Sequence, residues 1–497
     1  MPDPHDHPRR NVLHGSALRL DATAAPWAGG PARAQPAPAL VVPERARPQV
    51  THGLQFGDVT PGRAIVWSRC DRPARMLVEY ATREDFRDAR RVLGPCALES
   101  GDYTARVDLT GLPADAELFV RVRFERLDHA RTPGDAVGGR LRTASRGPRP
   151  LRLLWSGDPA GQGCDVDPER GGMRLYDTMR RRRPDLFIHC GGAVHADGPL
   201  PAGQLVEHGR VWRKRATPEV AGADAALDAF RGRYRDRLQD AALRRFNAEV
   251  AQVWLWDDRG PVNASADAGR LEVDPHDAEP RVPLPAARAF LEYAPLRRLY
   301  DEVASRVYRH LPYGPLLDLF VVDPRRHHGP DPHRRPPAAD AAGAFRGRPQ
   351  LGWLLDGLRH SRATWKLVAL AGPSSLAMAD DDAPALAGLL RGLCAAGVQN
   401  VVWLNTGVHA TAAHRYAPAC AAFTDVDPFR AFVSGPLDAA SDPRVAFQKV
   451  PEAPNAWPCA GLQCFGELDI DAATRTLAVA LRDVDDRVLF RRSLDPA

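Results

Sequence analysis

Six continuous apolar runs constrain this chain more than any other feature: LRLLW (151–155), DLFIHC (185–190), VAQVWLW (250–256), LLDLFVV (316–322), WKLVAL (365–370) and NVVWL (400–404). None alternates polar with apolar residues. Strands that read this way are buried on both faces, as in a parallel sheet covered by helices. The segments between them supply the helices. Leu227, Phe230, Tyr234 and Leu238 recur at three- and four-residue spacing and make one apolar helix face. LGWLLDGLRHS (351–361) and PALAGLLRGLCAAG (384–397) do the same, the second stopping on Gly397. ELDID, TLAVALRD and RVLFRRSL return the C-terminal end to strand. The alternation predicts an α/β sandwich.

The region before these runs reads differently. From about 50 to 145, RAIVWSRC, RMLVEYAT, TARVDLTGL and LFVRVRFERL are short strands separated by Gly, Pro and Asp turns. Their length and spacing predict a small immunoglobulin-like β-sandwich at 49–145. SRGPRP (145–150) reads as a linker to an α/β domain at 150–497. Residues 1–48, rich in Pro, Ala and Arg, read as a disordered tail or a degenerate twin-arginine signal. Arg9-Arg10 opens RRNVLHGSAL, and ARAQ (32–35) offers a cleavage site, although Arg19 and Asp21 interrupt the apolar stretch. This points to a periplasmic or secreted protein.

Composition excludes several functions. A net charge of +5 over 497 residues is too small for a nucleic-acid binder. All but three of the 67 basic residues are arginine, a bias that follows from GC-rich coding. The eight cysteines form no CxxC pair, which excludes a zinc ribbon, and they read as free buried thiols rather than a disulfide scaffold. No run is long enough to span a membrane. A phosphate-binding loop with lysine, a dinucleotide fingerprint and a Gly-x-Ser-x-Gly elbow are all missing.

The chemistry is carried by the residues just after each apolar run. The first delivers Ser156-Gly157-Asp158 and the second Gly191-Gly192-Ala193-Val194-His195. The third delivers Asp257-Asp258-Arg259, the fourth Asp323, and the last Asn405-Thr406-Gly407-Val408-His409. Carboxylates and histidines at successive strand ends are how such a sandwich builds a metal site. Other candidates carry less. His189 reads as a satisfied core residue, Trp254, Trp256 and Trp403 as strand core, and His414 as a helix-face or loop histidine. His327, His328 and His333 read as part of a solvated basic loop.

Many blocks in order resemble the alkaline phosphatase D (PhoD) family of calcineurin-like metallophosphoesterases. They are THGLQFGDVTPGRAIVWSR (51–69), WSGDPAGQG (155–163), GGMRLYDTMRRRRPDLFIHCGGAVHADGP (171–199), RRFNAEVAQVWLWDD (244–258), YGPLLDLFVVD (313–323), SRATWKLVA (361–369), VVWLNTGVHATAAHRYAP (401–418), FVSGPL (432–437) and GLQCFGELDID (461–471). The resemblance implies a four-layer α/β sandwich, two mixed sheets flanked by helices, behind the immunoglobulin-like domain. It also implies an alkaline phosphatase or phosphodiesterase acting on small phosphate esters. The cofactors it implies are two or more ions of iron, calcium, zinc or manganese, bridged by a carboxylate and activating a hydroxide.

The chain departs from the family pattern at the metal ligands. Gly192 stands at the bridging Asp of Gly-Asp-x-Ile-Tyr, and His195 at its Tyr. Arg259 and Gly260 replace the His and Glu of Asp-Asp-His-Glu. Gly407 replaces the Asp of Asp-Val-His, leaving His409. By this carry-over Asp158, Asp258 and His409 remain as metal ligands, joined by His195. Asp158, Asp258, Arg259 and His409 are the catalytic candidates. Two readings result: a phosphoesterase whose activity is weak or lost, or a non-catalytic protein that binds phosphate, a phosphoester or a protein partner.

Overall fold

The structure is a computed structural model. It describes residues 43–128, 133–159, 172–194, 203–206, 210–213, 227–256, 284–298, 306–323, 347–370, 383–406, 410–416, 428–437, 457–460 and 462–497. The Arg9-Arg10 segment and the histidine-rich loop at 325–335 lie outside them.

The strands first met in the chain are β1 (Val50–Thr60), β2 (Arg63–Cys70), β3 (Ala74–Ala81), β4 (Arg90–Ala97), β5 (Thr104–Thr110), β6 (Glu117–Arg126) and β7 (Val137–Arg142). Next come β8 (Leu151–Ser156), β9 (Leu186–His189), the hairpin β10 (Gly203–Val206) and β11 (Arg210–Arg213), and β12 (Ala251–Trp254). The second half supplies β13 (Arg309–Pro312), β14 (Leu317–Val322), β15 (Trp365–Leu370), β16 (Val401–Asn405), β17 (Ala410–Tyr416), β18 (Phe429–Val433) and β19 (Trp457–Ala460). The chain closes with β20 (Cys464–Ile470), β21 (Leu477–Asp483) and β22 (Val488–Leu494). The helices are α1 (Arg174–Arg181), α2 (Leu227–Arg237), α3 (Ala241–Glu249), α4 (Leu284–Tyr293), α5 (Gly347–His360) and α6 (Ala383–Ala395).

These elements stack in four layers. A nine-stranded sheet runs β22-β21-β20-β8-β9-β12-β1-β2-β5, and a seven-stranded sheet runs β13-β14-β15-β16-β18-β17-β19. Successive side chains point to opposite faces of a strand, so each central strand feeds two cores. Leu153, Ile188 and Val253 meet Leu319, Leu367 and Leu404 between the sheets. Leu154, Phe187 and Trp254 turn the other way, onto Tyr176 of α1, Tyr234 of α2, Phe246 of α3 and Phe290 of α4. Phe320, Val368 and Trp403 pack outward onto Leu354 of α5 and Leu390 of α6. A strand buried on both sides has no polar face to alternate with, which is why β8, β14 and β15 read as unbroken apolar runs.

The N-terminal strands form a sandwich whose second sheet is β4-β3-β6-β7. Its first sheet does not stop at the sandwich. Strand β1 pairs in parallel with β12, Phe56 opposite Ala251 and Gly57 opposite Gln252, so β1, β2 and β5 continue the nine-stranded sheet. The join is tight. A Cβ on Gly57 would lie 1.8 Å from the Pro295 carbonyl oxygen, so only glycine fits there. Beside it the Asp58 carboxylate is fully buried and paired with Arg309 at 2.7 Å, and its other oxygen accepts the Arg297 backbone N–H at 2.7 Å. Every oxygen of this buried charge is met, as low dielectric requires.

Candidate functional site

The parallel strands end together where the two sheets approach each other. From the nine-stranded sheet, β8 runs into Gly157 and Asp158, and β9 into Cys190, Gly191 and Gly192. The two are in register, with Ser156 opposite His189. From the seven-stranded sheet, β16 ends in Asn405 and Thr406, and β18 in Ser434 and the cis-linked Gly435-Pro436. Asn405 lies opposite Val433.

Contacts across the gap close this corner. The Thr406 hydroxyl lies 3.3 Å from Asp158 Oδ2 and 2.9 Å from the Ser434 carbonyl oxygen. The Thr406 backbone N–H donates to Asn405 Oδ1 at 2.8 Å. The Leu437 N–H donates to the Gly157 carbonyl at 2.9 Å, and Ser156 Oγ donates to the Cys464 carbonyl at 2.9 Å. Gly157 is required by proximity, because a Cβ there would lie 2.6 Å from Thr406 Cγ2. These contacts bury Asp158 to 1% exposure.

Asp158 adopts φ +50°, and Gly191 and Gly192 adopt +110° and +69°. Left-handed backbone is natural for glycine and is tolerated by aspartate better than by most residues. The turn folds the Asp158 N–H onto the Gly191 carbonyl at 3.2 Å and sets its carboxylate over Gly192. A Cβ on Gly192 would lie 2.5 Å from Asp158 Oδ1, 2.7 Å from its Cα and 2.8 Å from its N. The space a side chain at 192 would need is therefore filled by Asp158 itself.

A carboxylate-bridged pair of metal ions does not fit these residues. Two ions a few ångströms apart need a shared anion between them, and position 192 offers neither a ligand nor room for one. The Asn405 oxygen and the Thr406 hydroxyl are engaged with the protein's own donors and acceptors. No group of three or more His, Cys, Asp or Glu side chains placed to hold a metal occurs among the described residues. Of the residues expected to form the site, the structure places Asp158. Asp258, Arg259, His195, His409 and Gly407 lie outside the described residues. Asp323 ends β14 fully buried, with its backbone N–H and C=O both bonded to the Gln350 side chain of α5 at 2.8 Å, which ties the strand to its helix.

Two histidine readings need correction. His189 is in the core, but it is not satisfied: it is 1% exposed, and neither ring nitrogen has a hydrogen-bond partner among the described residues. Its ring packs against Trp254 and Phe187. Burial, then the charge of Arg237, holds its pKa down to about 3. His414 is neither on a helix nor in a loop. It lies in β17, buried, with its pKa lowered to about 4 by that burial. Trp254, Trp256 and Trp403 are core, as expected. Of the described cysteines, Cys70, Cys190 and Cys464 are buried free thiols. Sequence reasoning missed Thr406. Its one visible signal was a hydroxyl directly after a buried strand that faces a glycine on the neighbouring sheet.

Known proteins share this architecture. A family model described as PhoD-like phosphatase matches residues 159–481, and one described as PhoD-like phosphatase, N-terminal domain, matches 34–145. No curated protein matches the chain in sequence. A solved structure of PhoD superposes with a TM-score of 0.69 at 18% identity, covering 91% of this chain and 90% of that one. Purple acid phosphatase PPD1 from yellow lupin (Lupinus luteus) seeds superposes with a TM-score of 0.57 at 10% identity, covering 90% and 74%. At such identities the likeness is one of fold. No helix among the described residues is long and apolar enough to cross a membrane. The phosphatase model spans more than half of the sequence, and the chain belongs to the PhoD-like phosphatase family.

Proposed function

We propose that this chain is a PhoD-like phosphatase whose hydrolytic centre has been dismantled, so that phosphoester hydrolysis is weak or lost. One observation carries the reading: the bridging position is Gly192, and a side chain there would collide with Asp158. A hydrolase of this kind needs a hydroxide activated by bridged cations, and these residues cannot bridge them. The substitutions at 259 and 407 act in the same direction. An arginine at 259 holds an anion by charge-assisted hydrogen bonds but keeps its proton, so it cannot serve as a general acid. A glycine at 407 removes a further ligand. Loss of one electrostatic group commonly lowers kcat by roughly 10²- to 10³-fold, and several are lost here.

The test is elemental mass spectrometry on the chain from Gln35, purified without chelators, beside hydrolysis of mono- and bis(p-nitrophenyl) phosphate. The expected result is well under one equivalent of iron, zinc, manganese or calcium after dialysis, with hydrolysis near the uncatalysed background. Two retained equivalents, with turnover that Asp158→Ala abolishes, would overturn the proposal.

A further inference from the structure

At the end of the sheets away from Asp158, three arginines converge without a partner among the described residues. On β18, Phe429 and Ala431 face α5 and α6 while Phe432 faces the other sheet, so Arg430 shares the inward face. Arg415 of β17 is its direct antiparallel partner and lies on the same face. Across the gap, Phe490 and Leu494 of β22 pack against the inter-sheet core, and Arg492 has their parity. Of the three, Arg430 lines a cavity of about 540 Å³, with Asn400, Ser493 and Asp495 against Trp403 and Phe429; Arg415 and Arg492 lie outside its lining.

The arrangement is unfavourable as it stands. Like charges directly opposite in an antiparallel ladder destabilise it. Burial, then the charges of Arg492 and Arg415, lowers the Arg430 pKa. None of the three has a hydrogen bond or ion pair among the described residues. Asp495 of the lining lies 3.3 Å from the Thr476 hydroxyl. Elsewhere this arginine-rich chain answers its clusters with carboxylates: Arg91, Arg121 and Arg123 meet on Glu79, and Arg182 and Arg482 on Glu467. This cluster has no carboxylate partner among the described residues, and Arg430 lines the cavity.

We infer that Arg415, Arg430 and Arg492 hold a multivalent oxyanion of the phosphate type at the edge of this groove, with Arg430 reaching it from the lining. Planar guanidinium forks match phosphate oxygens bidentately, and a doubly or triply charged anion removes the repulsion among all three. The groove lies at the N-terminal ends of β16 and β18, whereas Asp158 sits at the opposite ends, so the inference stands apart from the hydrolytic reading.

Isothermal titration of the full chain with inorganic phosphate and with pyrophosphate tests it. Wild type is expected to bind, pyrophosphate more tightly. Arg430→Gln and Arg492→Gln should each weaken binding by roughly tenfold or more. Arg491→Gln removes the same charge from the opposite face of β22 and should leave affinity within about twofold. Asp158→Ala should retain binding. In anion-free buffer Arg430→Gln should also melt higher than wild type and lose the rise in Tm that pyrophosphate gives wild type. Absence of binding by wild type overturns the inference. So does equal weakening by Arg430→Gln and Arg491→Gln, which marks diffuse electrostatics, and so does loss only in Asp158→Ala, which moves the anion to the other end of the sheets.

Discussion

Gly192→Ala probes the corner most directly. The residue adopts φ +69°, and the added carbon would lie 2.5 to 2.8 Å from the Oδ1, Cα and N atoms of Asp158. The left-handed backbone costs alanine about 1–2 kcal/mol. Overlap with backbone atoms that cannot rotate away adds about 1–3 kcal/mol. Unfolding entropy of about 2.1 cal/mol/K per residue over a unit of roughly 450 residues makes 1 kcal/mol worth about 1 °C. Tm should therefore fall by about 2–5 °C. Gly192→Asp, which introduces the carboxylate that the resemblance to the family pattern implies at this position, should fall further. Two ionised carboxylates about 4 Å apart repel by about 4 kcal/mol at an effective dielectric constant of 20. Differential scanning fluorimetry with and without added manganese reads both variants. An alanine variant as stable as wild type would refute the steric argument. An aspartate variant that takes up two equivalents of metal would refute the conclusion drawn from it.

Two further outcomes rest on charge and burial. Burial raises the Glu79 pKa, but hydrogen bonds from Arg121, Arg91 and Arg123 outweigh it and hold the group at about 2. A depressed carboxyl stabilises the fold above its unfolded pKa and loses that contribution as pH falls through the folded value. The Tm gap between wild type and Glu79→Gln should therefore narrow from about pH 4.5 to about pH 2 in thermal melts. His189, with its pKa held at about 3, makes the unfolded chain take up a proton that the folded chain refuses. His189→Phe should melt at or above the wild-type temperature at pH 7, because it removes buried nitrogens that have no hydrogen-bond partner among the described residues. It should also lose less stability than wild type between pH 6.5 and pH 4, and an equal loss would contradict the assignment.

Much of this architecture was readable in the residues, for a physical reason. Strands buried on both faces write a continuous apolar run, so LFIHC, LLDLFVV and WKLVAL announced β9, β14 and β15. Helix α6 showed its apolar spacing and its stop at Gly397, which takes φ +63°. Short or polar strands gave no such signal. GQLV and RVWR, which pair as β10 and β11, and RHLP, the edge strand β13, lack a periodic pattern long enough to read. At the corner, the glycine pair marked the departure from the family pattern. The filled space did not show, because it depends on Asp158 turning left-handed and on Thr406, 248 positions further along, reaching its carboxylate. The same holds for the Arg69–Asp102–Arg235 ion pairs, whose members come from β2, a turn and α2. Burial of His189 was legible from its neighbours, but the lack of a hydrogen bond to its ring among the described residues was not.

The pairing of β1 with β12 also sets an order of events during synthesis. Strands β1, β2 and β5 leave the ribosome early and can pair with one another at once. The other edge of β1 waits for Ala251 and Gln252, roughly 200 residues later, which at 5–20 residues per second is on the order of 10–40 s. During that interval the nascent chain presents a bare row of peptide groups beside a half-built apolar core. A sheet that is seamless in the finished molecule thus begins with an open edge, and a nascent chain in this state is where holding chaperones would act and where misassembly would begin.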